Sequence, residues 1–245
     1  MADRTKISWA STTWNPITGC TPVSEGCQHC YARRMAKRLQ AMGAKGYEDG
    51  FKVTPHPERL DEPLHWRKPR RIFVCSMGDL FHEDVLGEFV AQVFDIMQYA
   101  QHHTYLVLTK RPGNLAMYFQ WHLPLWRRWH IWYGTTAENQ KRAYERIPVL
   151  TDIPCAHLWV SLEPLLGPVD LRPWLHKLGW VVVGGESGPR YRPMHIDWVR
   201  DVRDKCVDAG VPFYFKQFAG VHPKKLPELD GRVWDQQPKF GASEE

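Results

Sequence analysis

The chain has 245 residues, of which 43% are hydrophobic and 24% charged, and its formal net charge is +5. A chain of this size can bury one sizeable core, which favours a single domain spanning residues 1–245. No apolar run approaches the roughly 18 residues that a membrane span needs, and six cysteines in so long a chain do not resemble a small secreted disulfide framework. We therefore expect a soluble cytoplasmic protein with no secretory signal and no membrane partner.

The first predicted helix begins at Tyr31 and ends at Gly43, with its apolar residues on one side. A long polar insertion, residues 43–70, follows it and contains several prolines. Loops of this length within a compact domain are commonly functional. We therefore expect the insertion to contribute to a site.

Strands and helices alternate from residue 72 onward. Short runs rich in β-branched and aromatic residues predict buried strands at 72–77, 104–109, 130–135, 158–163, 180–185 and 212–217. Apolar residues at helical spacing predict helices over 86–101, 137–146 and 197–209, the second of which is closed by Pro148. The tail from 222 to 245 is rich in proline and charge, so we expect it to be irregular.

Repeated strand-helix units predict parallel strands joined by right-handed crossovers, which form either a barrel or an open doubly wound sheet. Polar residues follow directly after most of the predicted strands. In a barrel these positions converge on one rim, where active sites of such folds lie. We therefore favour an α/β fold, a partial or closed TIM-type barrel of about six to seven strand-helix units.

Three of the six cysteines lie in "CTPVSEGCQHCYA", at Cys20, Cys27 and Cys30. Thiolates this close together suit a soft or borderline metal. Three interpretations stay open: a zinc site completed by His29 or His82, a disulfide with one free thiol, and an iron-sulfur cluster in which one iron lacks a protein ligand.

This cysteine loop resembles that of the radical S-adenosylmethionine (SAM) enzymes, although six residues separate the first two cysteines instead of the commonest three. The segments "SMGDLFHEDV", "LTKRP", "GTTAENQ", "SLEPLLG" and "VVGGESG" are also similar to a phage-associated, radical-SAM-like family of unknown function, over roughly residues 6–220. The resemblance implies a 4Fe–4S cluster on Cys20, Cys27 and Cys30 whose open iron binds SAM. An electron donor is then a required partner, and the reaction abstracts a hydrogen atom from a substrate.

The resemblance also implies contacts between the first half of the chain and SAM. Tyr31 would pack on the adenine. The turn formed by Met77, Gly78 and Asp79 would meet the amino group, with Asp79 accepting from the ammonium. The plainer interpretation is that Tyr31 buries its ring and that the turn simply joins a strand to a helix.

Further cofactor contacts are expected after the next strands. Lys110 and Arg111 suit a carboxylate, which Arg can hold with two parallel hydrogen bonds. Glu163 and Asn139 would hold ribose hydroxyls, assisted by Ser161. The alternative roles are a solvated cation pair and helix caps.

Four more residues are assigned to the substrate side. Glu186 is a candidate proton donor or hydrogen-bond acceptor, and Lys216 and Gln217 would contact an anionic substrate. Cys75 is a candidate hydrogen-atom donor, although a strand cysteine more often serves as a small apolar core residue.

A second hypothesis is a zinc-stabilised nucleic-acid-binding protein without catalysis. It draws on the positive charge and on "LPLWRRWHIWYG", residues 123–134, which places Arg127 and Arg128 among Trp126, Trp129 and Trp132. A third is that the enzyme fold is retained and catalysis is lost. For an active enzyme, we favour a nucleic-acid base as substrate, and peptide or protein substrates stay open.

Overall fold

The structure is a computed structural model that describes residues 5, 7–121, 129–155 and 157–240. Its centre is a seven-stranded parallel sheet in which the strands follow one another in chain order. Numbered along the whole chain, these strands are β1 (Thr12–Trp14), β4 (Arg71–Val74), β5 (Thr104–Thr109), β6 (Ile131–Thr136), β7 (Leu158–Leu162), β8 (Trp180–Gly184) and β9 (Phe213–Gln217).

The sheet forms a half-barrel and is flanked by helices, which confirms the predicted partial TIM-type barrel. The helices are α1 (Tyr31–Ala41), α2 (Gly87–Tyr99), α3 (Pro112–Trp121), α4 (Gln140–Thr151) and α5 (Ile196–Asp208). Between β7 and β8 the described chain forms only a 3₁₀ turn, Leu175–Lys177, so this crossover lacks the α-helix that a complete strand-helix unit would have. Among the described helices, none has the length and apolar character needed to cross a bilayer.

The six predicted strands are all present, and the largest boundary difference is at β4. It ends at Val74 instead of residue 77 because Cys75 takes a left-handed conformation, with a φ of 58°. Pro148 lies inside α4 and does not end it as predicted. Tyr144, whose carbonyl loses the hydrogen bond that Pro148 cannot donate, has an exposed side chain, so this loss falls on the solvent side of the helix.

Two apolar clusters lie on opposite faces of the sheet. The outer face packs against the helices, and alternate residues of the same strands fill the inner face. Trp9, Trp132, Trp159 and Trp180 are buried in the inner cluster, so the aromatic residues serve largely as core. Because Trp132 is buried, it cannot contribute to the nucleic-acid surface predicted at 123–134. Trp126, Arg127 and Arg128, which were also assigned to that surface, lie outside the described residues.

The insertion at 43–70 pairs with the segment that leads into the cysteine loop. Its strand β3 (Thr54–Pro55) pairs antiparallel with β2 (Ile17–Thr18), and two 3₁₀ turns follow at Pro57–Arg59 and Glu62–His65. Gly19 has a φ of 83°, and a Cβ there would lie 1.9 Å from the Lys52 carbonyl oxygen. The loop therefore leaves β2 through a position that only glycine fits.

The tail differs from the irregular segment that its composition predicted. Strands β10 (Glu228–Leu229) and β11 (Arg232–Val233) form a small antiparallel pair. The Phe215 amide donates to the Trp234 carbonyl at 2.7 Å, and the Trp234 ring is buried against the core. A few apolar residues are thus enough to attach the described part of this polar tail to the sheet.

Candidate functional site

A cavity of about 280 Å³ lies beyond the carboxyl ends of the parallel strands. Its floor includes Phe73 and Leu108, which pack on the inner tryptophan cluster. Its polar lining comes from the cysteine loop and from the ends of six strands: Cys20, Cys27, Cys30, Tyr31, Cys75, Gly78, Asp79, Lys110, Arg111, Thr136, Glu163, Glu186, Lys216 and Gln217. The half-barrel therefore gathers residues from six strand ends into one cavity, as a parallel barrel rim does.

All three clustered cysteines line this cavity. A 3₁₀ turn, Glu25–Cys27, bends the loop, and Cys30 is the N-cap of α1. All six cysteines of the chain lie within the described residues and are free thiols, so the loop contains no disulfide. We call this side of the cavity, formed by residues 19–30, the cysteine wall.

The described residues do not favour a zinc centre. No three His, Cys, Asp or Glu side chains among them are placed to hold one metal ion. Tetrahedral zinc needs every ligand within about 2.3 Å of a single point. His29 and His82, the expected fourth ligands, contact Glu186 at 3.0 Å and Thr21 at 2.8 Å instead. Each cysteine of a cubane cluster binds a different iron, so such a cluster does not require its three sulfurs to surround one metal ion.

Arg111 holds the beginning of the cysteine wall. Its Nε donates to Glu83 at 2.8 Å, its Nη1 to Asp79 at 3.3 Å and to the Cys20 sulfur at 3.4 Å, and its Nη2 to the Thr21 hydroxyl at 2.9 Å. The side chain is almost fully buried. The N–H groups of its guanidinium are thus already hydrogen-bonded within the protein. Arg111 therefore holds the loop in place and is not available for the predicted contact with a cofactor carboxylate.

Cys20 and Cys27 differ in the direction in which their surroundings shift the thiol pKa. Burial, with a contribution from the Asp79 carboxylate, raises the pKa of the Cys20 thiol to about 11. Burial also acts against ionisation of Cys27, but the charge of Lys110 and hydrogen bonds from the Val23 and Ser24 backbone outweigh it and lower the pKa of that thiol. A thiolate ligand is therefore more easily formed at Cys27.

Glu138 is a site residue that the sequence analysis did not select. It is fully buried, and its Oε1 accepts from the Ser24 hydroxyl at 2.7 Å and lies 3.5 Å from the Lys110 ammonium. Its Oε2 accepts from Arg146 at 3.1 Å. A Cβ on Gly26 would come within 2.3 Å of the Glu138 carboxylate, so the loop packs directly on it. A carboxylate two residues after the end of β6 was the available signal.

Three predicted cofactor contacts do not line the cavity. Asn139 caps α4 by accepting from the Arg142 amide at 3.1 Å, and it donates to Glu25 in the cysteine wall. Ser161 donates to Glu163 at 3.1 Å, and the Met77 side chain packs in the apolar cluster beneath α1. They support neighbouring elements instead of facing the cavity.

The Glu186 carboxylate accepts hydrogen bonds from two residues, Arg192 and His29. It accepts from the Arg192 backbone amide at 2.8 Å, from the Arg192 guanidinium and from His29 at 3.0 Å. Burial acts to raise its pKa, but the hydrogen bonds from Arg192 and His29 prevail and lower that pKa to about 2. Its contacts are those of an ionised hydrogen-bond acceptor, which is one of its two predicted roles, and not those of a proton donor. Arg192 also donates to the Glu25 carbonyl at 3.0 Å, which ties Glu186 to the cysteine wall.

A second part of the cavity lining, which we call the opposite wall, is formed by Glu163, Lys216 and Gln217. The Lys216 ammonium donates to Glu163 at 2.5 Å, and Gln217 donates to the Gly185 carbonyl at 3.0 Å. The Glu163 and Lys216 side chains keep 15% and 21% of their surface exposed, so this pair remains accessible to a ligand.

The turn after β4 forms one edge of the cavity. Asp79 accepts from the Thr109 hydroxyl at 2.7 Å and from the Lys110 amide at 3.2 Å, so it joins β4 to β5. A Cβ on Gly78 would lie 3.0 Å from the Gly19 carbonyl oxygen, which explains the need for a small residue there. Cys75 is 3% exposed, and its left-handed φ of 58° is uncommon for any residue other than glycine.

Comparisons with known proteins agree with this architecture. The chain is similar to a cysteine-to-serine variant of spore photoproduct lyase, with a TM-score of 0.54 and 9% identity over 88% of this chain and 80% of that chain. A second variant of that lyase, with bound AdoMet and dinucleoside spore photoproduct, has a TM-score of 0.47 and 10% identity over 83% and 62% of the two chains. At 9% identity the first of these similarities shows the fold alone.

No curated protein matches the sequence. The family model described as protein of unknown function (DUF5131) matches residues 4–238. The chain therefore belongs to the DUF5131 family.

Proposed function

We propose that the protein is a radical SAM enzyme whose 4Fe–4S cluster is held by Cys20, Cys27 and Cys30. The observation that carries the proposal is that three cysteines of one loop line a single cavity at the carboxyl ends of a parallel half-barrel. Spore photoproduct lyase, the structural neighbour with a TM-score of 0.54, is itself a radical SAM enzyme, which supports the proposal.

The donor set fits such a cluster. Three thiols are available, none is in a disulfide, and the cysteine wall is fixed by Arg111, Glu138 and Arg192. Cys20, Cys27 and Cys30 would hold the cluster, leaving one iron without a protein ligand for SAM, and the bound cluster would supply the one-electron reduction by which SAM is cleaved to methionine and a 5′-deoxyadenosyl radical. The protein contributes binding, orientation and exclusion of side reactions.

The accessible polar residues of the cavity are assigned to SAM and substrate. Tyr31, which is half exposed, packs on the adenine of SAM. Lys110 contacts the carboxylate of SAM, because the guanidinium of Arg111 is already engaged. Glu163 accepts from the ribose hydroxyls, and Lys216 orients Glu163. Cys75 remains the candidate hydrogen-atom donor, since it lines the same cavity.

The reaction requires a one-electron donor and a compartment that keeps the thiols reduced, which is the cytoplasm in our proposal. We favour a nucleic-acid base as the substrate. The zinc-stabilised alternative has no support in the placement of the described residues.

Anaerobic reconstitution with iron and sulfide tests the cluster. We expect about four irons per chain and the brown absorption of an iron-sulfur protein. The Cys27→Ala variant should lose this iron, whereas Cys155→Ala, which removes a free thiol outside the cavity, should retain it. Equal iron in Cys27→Ala and the unsubstituted protein, or tight zinc binding in place of iron, would contradict the proposal.

A further inference from the structure

Helix α1 begins at the cavity and carries an uncompensated positive charge. Its sequence, "YARRMAKRLQA", contains four basic residues and no acidic one. Arg34, Lys37 and Arg38 are exposed, and Arg33 is half-buried. We call these four residues the basic face of α1. They lie within six residues, so the first and last are about 7.5 Å apart along the helix axis.

The cations of this face have no carboxylate partners. Within the described part of the chain, none of the four forms an ion pair with Asp or Glu, although Glu48 and Asp49 follow the helix closely. Helix α5 differs sharply, because Arg200 pairs with Asp230 at 2.7 Å and Lys205 with Asp201 at 2.6 Å. The basic residues of α1 are therefore available to an external anion.

The basic face is continuous with the mouth of the cavity. Arg34 donates to the Ser187 carbonyl at 3.1 Å, and the Arg33 guanidinium lies 5.7 Å from the centre of the Phe51 ring. Ser187 and Phe51 both line the cavity. Tyr31, at the start of the helix, is 51% exposed and lines the cavity as well. Positive charge and an exposed aromatic ring thus meet at the entrance.

The other side of α1 is already covered. Ala32 and Ala36 are buried with Met77, and Met35, Leu39 and Tyr47 pack against them. An amphipathic helix that binds a membrane surface needs an apolar face to insert. Here that face belongs to the protein core, so charge and not apolar burial determines what α1 can bind.

We propose that the basic face of α1 binds the phosphate backbone of a single-stranded nucleic acid and directs one of its bases to the cavity. Lys and Arg that neutralise phosphates supply most of the affinity in such complexes, and exposed aromatic rings stack on unpaired bases. A base must leave its stack before an enzyme can act on it, which favours a single strand. Delivery of the base rests on the function proposed above, whereas the phosphate contacts do not.

Binding of a fluorescein-labelled 20-nucleotide single strand of mixed sequence to the full chain tests the proposal. We expect the Lys37→Gln/Arg38→Gln variant to bind several-fold more weakly at 50 mM salt. The slope of log K against log salt should fall by about 1.4, since each lost phosphate contact on a single strand contributes about 0.7. Arg200→Gln/Lys205→Gln is the matched control, because it removes the same charge from cations that have partners.

The control should bind as the unsubstituted chain does, and melting curves should confirm that both variants are folded. Equal weakening in the two variants would show that net charge alone matters and would overturn the proposal. So would absence of oligonucleotide binding, equally tight binding of a duplex, or binding to phosphatidylserine vesicles instead. The Cys27→Ala variant should still bind the strand, so loss of the cluster and loss of this surface are distinguishable.

Discussion

The two walls of the cavity use charge in different ways. Behind the cysteine wall, Arg111, Glu138 and Glu186 are nearly or fully buried, and their polar atoms contact the loop or the groups that support it. On the opposite wall, Glu163 and Lys216 contact each other and remain partly exposed. Buried and fully engaged charges fix a geometry, whereas accessible ones can exchange partners when a ligand arrives. We therefore assign loop positioning to the first wall and ligand contacts to the second.

The largest expected effect is at Glu138, the buried carboxylate that contacts the cysteine wall. Glu138→Ala removes the acceptor of Ser24 and leaves the Arg146 guanidinium buried without its carboxylate. Breaking a buried pair in this way costs about 3–5 kcal/mol, which lowers Tm by about 10 °C in a chain of this size. Reconstituted iron should fall with it. Calorimetry and iron analysis are the measurements.

Glu145→Ala provides the control for this change. Glu145 lies on α4 like Arg146, but it is 42% exposed, and within the described part of the chain its one ion pair is with Arg142. Exposed pairs contribute about 0–1 kcal/mol, so its Tm should change by less than about 3 °C. Equal effects of the two substitutions would remove the distinction between buried and exposed charge on which the role of Glu138 depends.

The opposite wall should respond in binding and not in iron content. Lys216→Met removes the cation that contacts Glu163, so the affinity for SAM should fall by about tenfold, the effect of one charge-assisted hydrogen bond. Iron per chain should stay near the value of the unsubstituted protein. Anaerobic calorimetric titration with SAM measures the affinity, and Lys177→Met, at an exposed pair outside the cavity, is the control. Loss of iron in Lys216→Met would place this residue with the cysteine wall instead.

The smallest expected effect is a pH dependence at Glu186. Its pKa is lowered to about 2, so its contribution to stability is present above the usual value of 4.5 and is lost as pH falls toward 2. The whole shift of this pKa corresponds to a Tm difference of roughly 7–14 °C. Gln keeps one acceptor oxygen for the same donors, so the Glu186→Gln variant should melt below the unsubstituted protein at pH 7 by less than that. The difference should shrink as the pH is lowered. A difference that does not vary with pH would mean that Glu186 acts through its shape and not its charge.

The strands of the half-barrel were predictable because both faces of each are buried, which produces short continuous apolar runs. The three-residue strand β1 and helix α3 were not predicted. Three residues are too few to show a pattern. Helix α3 begins at Pro112, and proline, which is favoured at the first position of a helix, also commonly ends a strand, so it did not by itself indicate a helix.

The candidate site was predictable where the signal is local. The cysteines are close in sequence, and residues after parallel strands converge at one edge whatever their identity. The supporting contacts were not predictable, since Ser24 and Glu138 are separated by 114 residues and Glu25 and Arg192 by 167. Asn139 was selected in place of its neighbour Glu138 because the sequence alone does not show which side chain turns toward the loop.

Cleavage of SAM by the reconstituted protein tests the central claim most directly. The chain is reduced with dithionite under anaerobic conditions in the presence of SAM, and methionine and 5′-deoxyadenosine are measured by mass spectrometry. We predict equal amounts of both products, formed only with the cluster in place and absent in Cys27→Ala. A fully loaded four-iron protein that binds SAM and forms neither product would contradict the enzymatic account.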